Sequence, residues 1–342
     1  MGYRIQEVTG AAAENPDLAR FLADFVCSGE LENPKPGDDD SLVWLQRFAW
    51  WWDENPYCGP ESPRGYQLLD DEGVIVGFNG MIPFEYMVDG KIIPSLVTTT
   101  FFVREEHRSA VMGLLTKQRA LARTHHMIDG SPSPEMRRLL GRLGYEKSGE
   151  RFQYFFPLAP LGGGLSRTLL RSIGLCFQLP AARDDSRCYL ATTPDEIESI
   201  PEMSDGKLRR HLTVESLRWL SKVGTEDRSF FGLCNEHGEL ISYAIGIYKK
   251  RCGVTACLLM DYVDLRPDDD GLGRLIRRLT EKEGRAALRP DTKLISWSVL
   301  GDNRKPSASG LRRDSLLYYQ LPKTSREVEK LCVPFEGDLP LL

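Results

Sequence analysis

The chain has 342 residues, of which 41% are hydrophobic and 27% charged, with a net charge of −5. That length fits two domains of roughly 150 residues each, and the negative balance excludes a global basic field for nucleic acid or anionic lipid. No stretch approaches the ~18 consecutive apolar residues of a spanning helix, Met1–Gly10 lacks a secretory pattern, and Gln6 breaks a myristoylation motif; a cytoplasmic protein with no integral membrane segment is expected. Eight cysteines without a CxxC pair, and no histidine cluster, predict buried reduced thiols rather than a disulfide or zinc framework.

In chain order, Leu18, Phe21, Leu22 and Phe25 recur at helical spacing over Pro16–Cys27. An acidic, turn-rich loop follows, then a second helix over Ser41–Glu54, capped by Asp40 or Ser41 and ended by Asn55-Pro56. Its aromatics Trp44, Phe48, Trp51 and Trp52 fall at intervals of three or four, giving a core stripe or, alternatively, a wall for an acyl chain. Tyr66–Leu69, Val74–Phe78 and Met81–Val88 alternate between Gly/Asp turns and predict an antiparallel meander closed by Asp89-Gly90.

Residues 92–124 follow, and the rest of the chain is arranged about them. A long apolar strand, Ile92–Val103, runs through a charged turn into a helix whose Val111, Leu114, Leu115 and Leu121 can share one face. The first backbone N–H groups of such a helix are unpaired and favour an anion. The turn, VREEHRSAVMG (Val103–Gly113), resembles without a gap the acyl-CoA loop V-x-P-x-x-R-G-x-G-x-G of the GNAT acyltransferase superfamily. Val103, Arg108 and Gly113 match, while Glu105 replaces the proline and Ser109 and Val111 replace the first two glycines. A strand at His126–Asp129, a helix at Pro134–Leu143 and a strand at Tyr145–Pro157 complete an element order similar to one GNAT domain, and LGRLGYEK (Leu140–Lys147) resembles that superfamily's common ending. The superfamily's frequent tyrosine acid falls on Leu140, and the usual upstream asparagine on Ser133. His125-His126 sits at a helix–strand junction, where a titratable role or a structural one is open.

LAPLGGGLS (Leu158–Ser166) marks a boundary, with a short amphipathic helix expected over Arg167–Leu179. Beyond it the pattern repeats. SLVWL (Ser41–Leu45) returns as SLRWL (Ser216–Leu220), Glu72–Gly80 as His237–Gly246, and the strand–turn–helix as Ala256–Leu279. Strands at Lys293–Val299 and Ser315–Leu321 close the second cycle. The expected fold is α/β (α+β): two tandem GNAT-like domains, each a mixed, mostly antiparallel sheet flanked by helices, at 1–157 and 185–342 with a linker and docking helix at 158–184.

The resemblance implies thioester binding at Arg108, Val111, Met112 and Gly113 in the first loop and at Gly271, Leu272, Gly273 and Arg274 in the second, which keeps two glycines but adds an aspartate run. That run misses the EF-hand spacing, so no metal is expected. Asp261 and Asp264, on the strand entering the second loop, are the candidate bases, and Tyr318 is a candidate acid; the first half offers Thr98, Thr99, Thr100 and Glu85. Ser–His–Asp and Cys–His signatures are lacking, which removes hydrolase chemistry. Acyl transfer from acyl-CoA or an acyl-carrier protein to an amine or hydroxyl of a small molecule or glycan precursor is the leading expectation, with no DNA partner. A Fem-type aminoacyl-tRNA-dependent transferase and a non-catalytic GNAT-fold scaffold are the alternatives.

Overall fold

The computed structural model describes residues 2–29, 37–130, 132–147, 151–158, 187–203, 205–222, 228–251, 253–265, 270–300, 311–313 and 318–320. The expected linker and the helix at 167–179 lie outside the described residues, as does the turn 266–269. In the first half, β1 (Arg4–Glu7) precedes α1 (Pro16–Cys27) and α2 (Ser41–Phe48), which Asp40 caps by accepting from the Leu42 amide at 2.8 Å. The stretch expected to continue α2 is a wider π turn, Ala49–Asp53, that drives Trp50, Trp51 and Trp52 all inward.

Strands β2 (Gly65–Leu69), β3 (Ile75–Val88) and β4 (Lys91–Val103) form an antiparallel run. The hairpin between β3 and β4 turns on Asp89 and Gly90, both at positive φ (46° and 73°), as a two-residue turn with right-handed strand twist requires. The turn expected near Asn79-Gly80 is absent, because β3 passes through it as one 14-residue strand. A 3₁₀ segment, Glu105–Ala110, leads into α3 (Val111–Leu121), then β5 (His126–Asp129), α4 (Pro134–Leu143), β6 (Glu146–Lys147) and β7 (Arg151–Pro157). Gly144, at φ 90°, ends α4.

The second half contributes β8 (Tyr189–Ala191), β9 (Arg209–Arg210), α5 (Val214–Ser221), β10 (Arg228–Cys234), β11 (Leu240–Arg251) and β12 (Val254–Asp264). It continues with α6 (Gly271–Thr280), α7 (Lys282–Arg285), β13 (Thr292–Leu300), β14 (Leu311–Arg313) and β15 (Tyr318–Gln320). The two sheets repeat one plan, but they trade their last strands. The first runs β1-β2-β3-β4-β5-β15-β6 and the second β14-β7-β13-β12-β11-β10-β8. Strand β7, expected to close the first sheet, pairs along Leu294–Leu300 of β13, while β15, expected in the second, pairs with β5 and β6. Strand β9 adds to the outer end of β3 as a further crossing.

One apolar core serves both halves. It joins Leu18, Phe21, Trp44, Phe48, Phe78 and Ile82 to Leu217, Trp219, Phe230, Tyr243 and Ile245. Helices α3 and α4 cover the other face of the first sheet through Leu114 and Leu140, and α6 covers the second through Leu272, Leu275 and Leu279. At the centre Trp50 and Trp219 stack at 4.8 Å, and each indole N–H donates to the other's backbone carbonyl (3.2 and 2.7 Å). The contact ties the π turn that follows α2 to the helix α5 of the second half. Trp219→Ala should therefore cost ~3–5 kcal/mol and lower the stability of both halves in one transition. Urea unfolding followed by fluorescence and far-UV circular dichroism checks this; two separated transitions would contradict it.

Candidate functional site

The first half holds a strand that leaves its neighbour. Parallel pairing of β4 with β5 stops at Thr98↔Asp129, while β4 continues to Val103. At the parting point the β3–β4 register slips: Phe78 faces Phe102 and Gly80 faces Thr99, so Thr100 and Phe101 oppose Asn79 alone. This is a β-bulge, which takes a backbone unit out of the ladder. Thr100 adopts φ 45°, a conformation costing a β-branched residue ~1–3 kcal/mol. Gly80 makes room for it, since a Cβ there would lie 2.7 Å from Thr100 Oγ1 and 2.9 Å from the Phe78 ring. Asn79, Thr99 and Thr100 are 0, 3 and 7% exposed, and Asn79 Oδ1 and both threonine hydroxyls have no hydrogen-bond partner. Three buried polar atoms without a partner thus gather at the bulge.

On the α3 side of the sheet a hydrogen-bonded chain joins the bulge to Tyr145. Asn79 Nδ2 donates to Gln118 Oε1 at 2.9 Å, and Gln118 Nε2 donates to the Tyr145 hydroxyl at 2.7 Å. Burial pushes the Tyr145 phenol well above its ordinary range, so it stays protonated. Gln118 was detectable in the sequence as a polar residue on the Leu114–Leu115 face; Asn79 and Tyr145 carried no such signal.

The mouth itself is built by the residues the loop resemblance named. Arg108 is exposed and loosely paired to Glu105 at 3.9 Å, Val111 is half-buried, and Met112 is 55% exposed. Gly113 is where α3 meets β1, since a Cβ there would reach Ile5 Cδ1 at 2.6 Å. No side chain caps the 3₁₀ segment or α3, and Glu105 and Glu106 occupy the first turn.

The second half has the same splay with a different filling. Pairing of β12 with β13 stops at Leu259↔Trp297, and Met260 is the extra residue between Ile245↔Asp261 and Gly246↔Leu259. Asp261 Oδ2 accepts from Arg210 Nη1 at 2.8 Å and from the Tyr243 hydroxyl at 2.9 Å, with the ion pair 6% exposed on both sides. Burial works against the Arg210 charge, but the Asp261 carboxylate outweighs it and raises the guanidinium's pKa; burial first, then Asp261, raises Tyr243 far above the usual phenol range. Asp264 Oδ2 accepts from the Leu272 amide at 3.3 Å, and its Oδ1 lies 2.8 Å from where a Gly271 Cβ would stand. The Asp270 carboxylate takes the space beside Gly273, within 2.8 Å of its missing Cβ. The protein's own carboxylates thus sit at the amino end of α6, where an anion would otherwise be favoured.

Solved structures resemble the chain over nearly its whole length. A conserved protein of unknown function from Enterococcus faecalis V583, described as a probable N-acyltransferase, superposes with a TM-score of 0.53 over 93% of this chain and 72% of its own, at 13% identity. A GCN5-related N-acetyltransferase from Anabaena variabilis gives 0.54 over the same shares, also at 13% identity. No sequence family and no curated protein matches the chain. The chain carries two GNAT folds.

Within that pair of folds the candidate residues are scattered. Asp261 and Asp264 do not face a common cleft, because one is locked in the Arg210 ion pair and the other caps α6. Tyr318 belongs to the first sheet, opposite Asp129 and Lys147, and is half-buried against the Met81–Leu96 cluster. Gly271, Leu272, Gly273 and Arg274 are buried, and Arg274 Nη2 lies 3.1 Å from Cys188 Sγ. Glu85 is paired with His211 Nδ1 at 2.8 Å across the two halves. His126 is buried edge-on to Tyr86, and burial lowers the pKa of His125. Trp44, Phe48, Trp51 and Trp52 are at most 2% exposed and stack on one another, which makes the stripe core rather than an acyl wall. Among the described residues no group of three His, Cys, Asp or Glu could hold a metal ion, and no helix is long and apolar enough to cross a membrane. Gly80→Ala should destabilise by ~1–3 kcal/mol through its clashes with Thr100 and Phe78, and adding Thr100→Gly should recover the Thr100 part of that loss. A urea double-mutant cycle measures this, and strict additivity would contradict the close approach.

Proposed function

We propose that the chain is an acyltransferase whose first half takes a thioester of coenzyme A or of a carrier protein and passes its acyl group to an amine or hydroxyl. The observation that carries this reading is the bulge at Thr100, at the point where β4 parts from β5. A pantetheine arm entering the splay would bring its thioester carbonyl to the backbone N–H groups released there, which would donate to the oxygen as it gains charge. The acceptor nitrogen or oxygen attacks the carbonyl carbon and loses its proton to solvent, which in turn restores the proton the phenol gives up; the C–S bond breaks, and the sulfur leaves with the electron pair. Tyr145, protonated because it is buried and steadied by Gln118, is the group we assign to give that sulfur its proton.

An open groove of about 660 Å³ between α1 and the β1–β2–β3 edge is lined by Glu7, Glu14, Asp17 and Asp24 together with Arg4, Arg20 and Arg104, the Arg20 guanidinium being paired with Asp17. Its small surplus of carboxylates suits a cationic amine on a small molecule or glycan precursor as the acceptor. In the second half the anion position is taken by Asp264 and Asp270, and the scaffold reading has its support there: we assign that half the role of a buttress.

Acetyl-CoA, or acetyl-pantetheine without the nucleotide, should raise the melting temperature, by an amount equivalent to ~2.7 kcal/mol at a hundred times Kd. Val111→Asp, which keeps the helix start but adds charge at the first mouth, should abolish the shift, and Asp264→Asn should leave it intact. The opposite pattern would assign the thioester to the second half. In thiol-release assays over a panel of amines, Tyr145→Phe should lower kcat by ~10²-fold with KM for the thioester unchanged, and the raised phenol pKa should keep the wild-type alkaline limb above that of free tyrosine. An unaltered kcat would remove Tyr145 from the reaction.

A further inference from the structure

Residues 107–128 contain Arg108, Lys117, Arg119 and Arg123 and no aspartate or glutamate, in a chain whose net charge is −5. The structure concentrates these cations on the outside of α3. Leu114, Leu115 and Gln118 face the sheet, while Met112, Thr116, Arg119 and Arg123 recur at spacings of four, three and four and form one exposed stripe. Arg119 and Arg123 have no carboxylate partner among the described residues, and Lys117 lies exposed beside them with its ammonium 5.9 Å from the Tyr66 ring centre. The stripe begins at the mouth of the first splay, since Met112 is in the first turn of α3 and Gln118, a turn and a half on, reaches Asn79 behind the bulge.

The same mouth is poorly built for a free nucleotide. Ser109 and Val111 bear side chains where the resembling loop has glycines, Ile5 fills the space beside Gly113, and Glu105 and Glu106 place negative charge at the start of the helical segment, where a pyrophosphate would have to sit. A donor that enters the splay with only its pantetheine arm avoids that repulsion, provided something else holds it. A stripe of unpaired cations leading to an exposed methionine is suited to hold an acidic protein surface.

We propose that the thioester is delivered by an acidic carrier protein, whose acidic face lies along Met112, Arg119 and Arg123 while its phosphopantetheine arm enters between β4 and β5. This rests on the first-half thioester reading above. The probe is a fluorescently labelled acidic acyl-carrier protein bearing an acetyl thioester, titrated by anisotropy against the full chain. Its affinity should fall at least about tenfold between about 50 and about 300 mM salt, and by a similar factor in Arg119→Glu/Arg123→Glu. The thermal shift with acetyl-pantetheine should be the same in that variant as in the wild type, which shows that the fold and the splay are intact. Carrier binding indifferent to the double reversal, or acetyl-CoA bound more tightly than the loaded carrier, overturns the proposal and leaves the thioester site standing. Stripe-dependent binding to anionic phospholipid vesicles or tRNA without carrier binding overturns it in favour of another partner. If acetyl-pantetheine, acetyl-CoA and the loaded carrier all fail to shift the wild-type melting temperature, the thioester reading falls, and this proposal with it.

Discussion

The exchange of β7 and β15 is the constraint on which the structure depends. Each sheet is completed by a strand from the other half, so neither sheet is whole without the other. The Trp50–Trp219 contact joins the same two halves, each indole N–H donating to the other's backbone carbonyl. A core shared in this way lets the second half hold the first in shape without taking part in its chemistry. The buried Arg210–Asp261 pair crosses the same interface, and such pairs fix geometry more reliably than they add stability.

Two copies of one plan have come to differ in what occupies the strand-to-helix mouth. In the second copy glycines remain, but Asp264 and Asp270 have filled the space those glycines left and satisfy the helix end internally. In the first copy glycines are lost, yet the mouth is uncapped, the bulge is strained at Thr100, and three buried polar atoms lack partners. Backbone strain and unsatisfied polar groups persist only where the surroundings enforce them, and they concentrate at working sites. Both mouths thus hold a non-glycine residue at positive φ, Thr100 in the first and Asp270 in the second, and they differ in whether carboxylates fill the space beside it.

Much of the architecture was legible because it is written in local periodicity. The β4–α3 unit, the Asp89-Gly90 hairpin, α1, and the aromatic core stripe all follow from residue spacing. The exchange was not legible, since β7 and β15 are short strands with no local feature that selects one sheet over the other. The π turn escaped notice because Ala49–Asp53 continues an apolar run that a regular helix could equally carry. The bulge was hidden in a run of threonines that suits a straight strand, and Gly80, which looked like a turn, turned out to be the clearance that the bulge needs. At the second loop the glycines resemble a cradle, whereas Asp264, expected as a candidate base, and Asp270, the last of the aspartate run, occupy the space beside them.

The central claim is that a thioester enters the first splay and not the second. Photoaffinity labelling with a diazirine-bearing acyl-pantetheine, mapped by peptide mass spectrometry on the intact chain, tests it most directly. Labels confined to peptides spanning β4, the 3₁₀ segment and the first turns of α3 are predicted. Labels around Met260 and the start of α6, or none that excess unlabelled thioester can displace, would contradict it.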